Sequence, residues 1–175
     1  LRTVYSRCFK DASNNDNQVG VTCMTTSHER GSIVAGCTDG NIRLLDGSLR
    51  ELATIRSHLG GVSSIDVSPD GNLVATTGYS SKAKPTSNDG CSALYAFPDQ
   101  IVKIYDLRYL GRGGISHPFS GAKGAPRHVC FVPDVEDCPS NRFLVASGKR
   151  GGGMQIITPF ETQNENTISF FLPPL

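Results

Sequence analysis

Several side chains have the types and spacing for chemistry. Asp134 and Glu136, in the stretch DVE, form a D-x-E pair of the kind that holds two metal ions for phosphoryl transfer. Such carboxylates need a rigid strand behind them. Here Pro133 precedes and Cys138-Pro139 follows, which predicts a loop. Ser147–Gly153, SGKRGGG, has the glycines and lysine of a phosphate-binding loop. It lacks the Ser or Thr after Gly-Lys, and a strand rather than a helix is expected to follow, so it reads as a hairpin turn. His128, Cys130 and Cys138 are metal-ligand types, but their spacing fits no zinc signature. His28, His117 and His128 fall at turns or strand ends with no Ser/Asp partner at readable spacing, and His58 is expected to be a structural hydrogen-bonder. The sequence therefore assigns no catalytic residue, no metal and no cofactor to this segment.

Lys103, Arg108, Arg112, Lys123 and Arg127 lie close together in the sequence. They read as a solvated rim; the functional reading is contact with RNA phosphates or an acidic partner. Gly111–Gly114, GRGG, is a single arginine–glycine segment of a kind that touches RNA, and a loop at a sheet edge is the plainer reading. The chain as a whole supplies no field to draw in nucleic acid or anionic lipid, because 17 Lys and Arg face 16 Asp and Glu. No run approaches the ~18 apolar residues of a membrane helix, and no leader is visible. Leu1 at the start and the apolar stretch Phe170–Leu175 at the end read as cuts through a longer protein. The six cysteines include no C-x-x-C pair and the chain has no N-x-S/T acceptor, so reduced thiols in a cytosolic protein are expected.

The elements behind these residues repeat. GSIVAGCTDGNIRLLD (Gly31–Asp46), GNLVATTGYSS (from Gly71) continued by QIVKIYDLR (from Gln100), and NRFLVASGKRGGGMQII (Asn141–Ile157) share one pattern. A short apolar strand with Val-Ala is followed by small residues, a glycine turn and a second apolar strand. Val34-Ala35 and Val74-Ala75 are 40 residues apart, the period of one four-stranded propeller blade. The third pair, Val145-Ala146, lies farther on because of two insertions, Lys82–Asp99, predicted to be disordered, and Asp134–Ser140. Thr38–Asn41 (TDGN) and Ser68–Gly71 (SPDG) place Asp-Gly where a tight hairpin needs positive φ. Leu1–Lys10 is expected to be the outer strand of a preceding blade and Asn14–Gln18 a linker. The expected blades span 19–58 (from Val19), 61–120 and 126–172.

At SPDGNLVATTG and VKIYDLR the chain resembles WD-repeat proteins. The resemblance implies an all-β fold: a partial WD-repeat β-propeller of about three four-stranded antiparallel blades over 19–175, with residues 1–18 ending a preceding blade. Asp106 stands where the family's Asp ends the third strand. Tyr105 and Leu45 stand where its Trp usually is, and the chain has no Trp. In the family a histidine before a blade, a Ser or Thr and a turn Asp form a buried hydrogen-bond network, and His58 and Asp39 fit the outer two roles.

A narrower resemblance runs in order through GYSS (Gly78–Ser81), IVKIYDLR (Ile101–Arg108), AP…FVP (Ala125–Pro133) and NRFLVASGKRGGGMQIITP (Asn141–Pro159). These are similar to the N-terminal propeller of the catalytic subunits of the PAN poly(A)-specific ribonuclease (deadenylase) family. That resemblance implies a protein that removes mRNA poly(A) tails 3′ to 5′, with a magnesium-dependent exonuclease far beyond this segment. The segment itself is then a non-catalytic scaffold that positions the regulatory subunit and, indirectly, poly(A) mRNA with poly(A)-binding protein. The implied location is the cytoplasm, including P-bodies. The alternative is a WD-repeat interaction scaffold of an unrelated complex. An enzyme confined to this chain is the third reading, for which no turnover is expected. Three blades are fewer than the roughly 4–8 of a closed ring, so the isolated chain is expected to expose blade flanks and aggregate.

Overall fold

The computed structural model describes residues 9–11, 14–79, 101–109, 114–118, 126–132, 143–147, 153–157 and 168–171, and for 10–11, 14–18, 115–118, 143–147, 153–157 and 168–171 the backbone alone. Every regular element among them is a strand. None of the described residues forms a helix long and apolar enough to cross a membrane. Lys82–Asp99, Asp134–Ser140 with its D-x-E pair, Arg112 and Lys123 lie outside the described residues.

Strands β1 (Phe9–Asp11) and β2 (Asn14–Val19) form an antiparallel pair. Three antiparallel four-stranded sheets follow in chain order. The first holds β3 (Val21–Ser27), β4 (Ser32–Cys37), β5 (Asn41–Leu45) and β6 (Glu51–Arg56). The second holds β7 (Val62–Val67), β8 (Leu73–Gly78), β9 (Ile101–Asp106) and β10 (Ile115–Pro118). The third holds β11 (Pro126–Phe131), β12 (Phe143–Ser147), β13 (Gly153–Ile157) and β14 (Ile168–Phe171). Strand β3 lies against β7, and β7 against β11, so the first strands of successive sheets stand side by side. This is the stacking of propeller blades. SGKRGGG lies across the end of β12 and the start of β13, which pair antiparallel, so a strand follows it.

Two expectations change. Asn14–Gln18 is strand, not linker, and Val19 ends β2 rather than opening the first blade. Polar side chains do not prevent pairing, because the ladder is made by backbone groups. Phe9 and Val19, partners in register, supply the apolar contact, packing on Cys37 and Leu45. The second change concerns repeat register. Ile33 pairs with Leu45, and Val74 pairs with Tyr105. Since Leu45 and Tyr105 each precede the aspartate that follows or ends the third strand, Val74 is the counterpart of Ile33, and Ala75 that of Val34. The two Val-Ala pairs are thus offset by one residue. These strands are buried on both faces, so hydropathy offers no alternation to fix the register.

Packing follows from that two-sided burial. Val34, Ile42 and Leu44 of blade one meet Val62, Ile65, Val67, Val74 and Tyr105 of blade two in one apolar layer. On the other face of blade two, Leu73, Ala75, Val102 and Ile104 meet Val129 and Phe131 of blade three.

Candidate functional site

Blade two is threaded by a buried polar chain. His58 precedes the blade in the 57–61 connection, with the ring 1% exposed. Its Nε2 lies 3.1 Å from Thr76 Oγ1 on β8. Thr76 Oγ1 lies 2.9 Å from Ser57 Oγ, which accepts a hydrogen bond from the Tyr105 hydroxyl at 3.2 Å. The Lys103 ammonium donates to the Ser57 carbonyl oxygen. Burial pushes the Tyr105 phenol up, with the bond to Ser57 opposing it. Blade one has no such chain, because Ala35 holds the register position that Thr76 has in blade two, and Leu45 that of Tyr105.

Asp39 occupies a different arrangement, in the β4–β5 turn. Its carboxylate accepts from Asn41 N and Nδ2 at 3.0 and 2.8 Å, and from both Arg43 terminal nitrogens at 3.1 and 2.6 Å. Both side chains of the ion pair are 6% exposed. Burial alone would raise the Asp39 carboxyl, but the bonds from Arg43 and Asn41 hold it below the ordinary carboxylate range. The Arg43 guanidinium also stacks 5.0 Å from the centre of the Phe9 ring, which ties blade one to the β1–β2 pair. Asp39 and His58 are linked through backbone: the carbonyl of Gly40 accepts from Ser57 N at 3.1 Å and His58 N at 3.0 Å. Gly40 has φ +82°, and a Cβ there would overlap the carbonyl oxygens of His58 and Gly60.

Polar side chains also cross the seams between blades. Thr22 Oγ1 donates to Val62 O at 2.6 Å. Asp66, on β7, accepts Phe131 N of blade three at 2.6 Å, and Ser64 Oγ accepts Val129 N at 3.2 Å. Thr77 Oγ1 donates to Arg127 O at 3.3 Å. Strand β7 alternates Ile65 and Val67 with Ser64 and Asp66, and uses that polar face to hold the next blade.

Of the basic residues that cluster in sequence, the described ones, Lys103, Arg108 and Arg127, take separate places. Lys103 is turned into the 57–61 connection. Arg108 lies just beyond the C-terminal end of β9, where its guanidinium is bound to Asp106 at 2.6 Å and lies over the Tyr109 ring at 5.7 Å. Arg127 is exposed on β11. Asp106 also caps the turn by accepting Arg108 N at 2.9 Å, as Asp46 does for Ser48 N and Arg50 N in blade one.

A hydroxyl–imidazole chain closed off from solvent positions strands and cannot meet a substrate. Among the described residues no group of three or more His, Cys, Asp or Glu could hold a metal ion. Ser57, Thr76, Arg43, Ser64 and Asp66 were not singled out by motif. The available signals were the Thr76-Thr77 hydroxyls in an otherwise apolar strand and a lone carboxylate inside VSSIDV.

No curated protein matches the sequence. Among solved structures, the fold superposes on the Neurospora crassa Pan2 WD40 domain with a TM-score of 0.65 and 17% identity, covering 91% of this chain and 42% of that one. It also superposes on the Myceliophteria thermophila Cps50 (Swd1) beta-propeller domain with a TM-score of 0.57 and 12% identity, covering 96% of this chain and 40% of the other. The chain thus spans well under two thirds of either propeller. A family profile described as WD domain, G-beta repeat matches residues 8–46 and 49–106, more than half of the sequence. With its stacked four-stranded antiparallel sheets, its Asp-Gly hairpins and that match, the chain belongs to the WD-repeat family and is a partial β-propeller.

Proposed function

We propose that this propeller is the non-catalytic scaffold of a poly(A)-tail-shortening 3′–5′ exoribonuclease subunit, which positions the regulatory subunit and the RNA substrate in mRNA deadenylation. The supporting observation is twofold: the motifs GYSS, IVKIYDLR, FVP and NRFLVASGKRGGGMQIITP occur in the order of the deadenylase propeller, and the Pan2 domain shares the fold. One propeller fold hosts many partners, so the order of the motifs, not the fold, selects this reading. On this reading the magnesium-dependent chemistry belongs to another part of the protein, and the complex works in the cytoplasm and its P-bodies. The test is purification of the tagged full-length protein with its partners, followed by incubation with a 3′-adenylated RNA and Mg²⁺. Progressive loss of the A tract, with a non-adenylated RNA spared and a second subunit co-purifying, is the expected result. A complex that leaves the tail intact overturns it. A second reading, a WD-repeat scaffold of an unrelated complex, is favoured by the likeness to the Swd1 propeller, and that negative result would select it.

A further inference from the structure

Ser27, the last residue of β3, and Ser32, the first of β4, are cross-strand partners at the mouth of the 28–31 hairpin turn. Both are buried, at 3% and 5% exposure, and neither hydroxyl has a protein hydrogen-bond partner. Directly opposed residues of an antiparallel pair point to the same face of the sheet. That face looks toward blade two, because Ser27 Oγ lies only 2.6 Å from where a Cβ on Gly71 would stand, in the 68–72 turn. The surrounding polar groups are already engaged. Ser68 Oγ accepts Leu73 N, the Asp70 carboxylate takes Asn72 N and Nδ2, and Asn72 Oδ1 accepts the Arg30 guanidinium.

A buried hydroxyl left without a partner costs about 1–3 kcal/mol, and two side by side on one face would double that. From the paired orphan hydroxyls we infer a structural water site at the seam between blades one and two, with Ser27 Oγ and Ser32 Oγ as its protein ligands. Two convergent polar groups are the minimum that holds a buried water. Gly71 lets the 68–72 turn close over the pair, since a Cβ there would stand 2.6 Å from Ser27 Oγ. The site gives the β3–β4 hairpin a polar contact at the 68–72 turn of the next blade.

The test is a high-resolution crystal structure of the intact propeller with the natural sequence. A water within about 2.7–3.2 Å of both Oγ atoms is expected. Thermal unfolding of Ser27→Ala and Ser32→Ala gives a second readout with a sign. If a water bridges the pair, each variant loses a ligand and melts lower, by about 2–4 °C. A rise in melting temperature, a dry site, or a direct Ser27–Ser32 hydrogen bond overturns the inference. Should a variant fail to fold, the density in the natural protein decides.

Discussion

Tyr105 reaches Thr76 through Ser57: the phenol donates to Ser57 Oγ at 3.2 Å, and Ser57 Oγ lies 2.9 Å from Thr76 Oγ1. Either hydroxyl of the Ser57–Thr76 pair can donate, and the His58 tautomer sets the direction at Thr76 Oγ1. Removing the phenol in Tyr105→Phe is expected to cost about 1 kcal/mol. Thr76→Val strands both neighbours and should cost about 2–3 kcal/mol. Chemical denaturation of the intact propeller checks the ranking. A double variant should be less destabilised than the sum of the two, since they share one network.

The β4–β5 turn leaves no room at Gly40. Gly40→Ala places a methyl on the carbonyl oxygens of His58 and Gly60 at a positive φ, and is expected to cost more than about 2 kcal/mol. Gly47 has open space, so Gly47→Ala should stay within about 0.5 kcal/mol of the parent. Paired melting curves provide the comparison.

Asp39 predicts the direction of acid sensitivity. Its folded carboxyl titrates below the unfolded value of about 3.9. The ion pair therefore contributes fully above that value, and its contribution disappears as pH falls through the folded one. Asp39→Asn should be less stable at neutral pH and should lose less stability on acidification. Asp39→Ala, which leaves Arg43 buried and unpaired, should cost about 3 kcal/mol at pH 7. Unfolding free energies measured from pH 7 downward test both.

Thiol labelling should follow burial. Cys130 is exposed, Cys23 half-buried and Cys37 buried, and burial pushes all three thiols up. Mass-spectrometric mapping with a maleimide should show Cys130 modified first, and Cys37 only after unfolding. Early modification of Cys37 would mean that the β1–β2 pair does not stay docked.

Asp66 is the polar pin between blades two and three. Asp66→Ala removes the acceptor of Phe131 N. Hydrogen exchange of the Phe131 amide should accelerate about tenfold, the equivalent of 1.4 kcal/mol, while amides in β4 and β5 keep their protection.

The sheets were legible because short apolar strands joined by glycine turns recur, and each signal is local. TDGN predicts the tight turn at Gly40 from residue types alone. The one-residue offset between Val34 and Val74 was not legible, because a strand packed on both faces has no polar–apolar alternation to mark its register. The partners of His58 were hidden for another reason. Ser57 is adjacent in sequence, but Thr76 and Tyr105 come from β8 and β9, and only the sheet brings them together. The basic residues show the converse. Lys103 and Arg108 are five apart in sequence, yet one is turned into the 57–61 connection while the other lies past the end of β9 on Asp106.

Gly20 is the only residue between β2 and β3, and it exchanges bonds with Thr38: its amide donates to Thr38 Oγ1 at 3.0 Å and its carbonyl accepts Thr38 N at 2.9 Å. So short a joint, fastened from the side, has no slack. A binding partner that grips β1–β2 would have a lever on the whole first blade, and a residue inserted at this joint would disconnect the handle from the load.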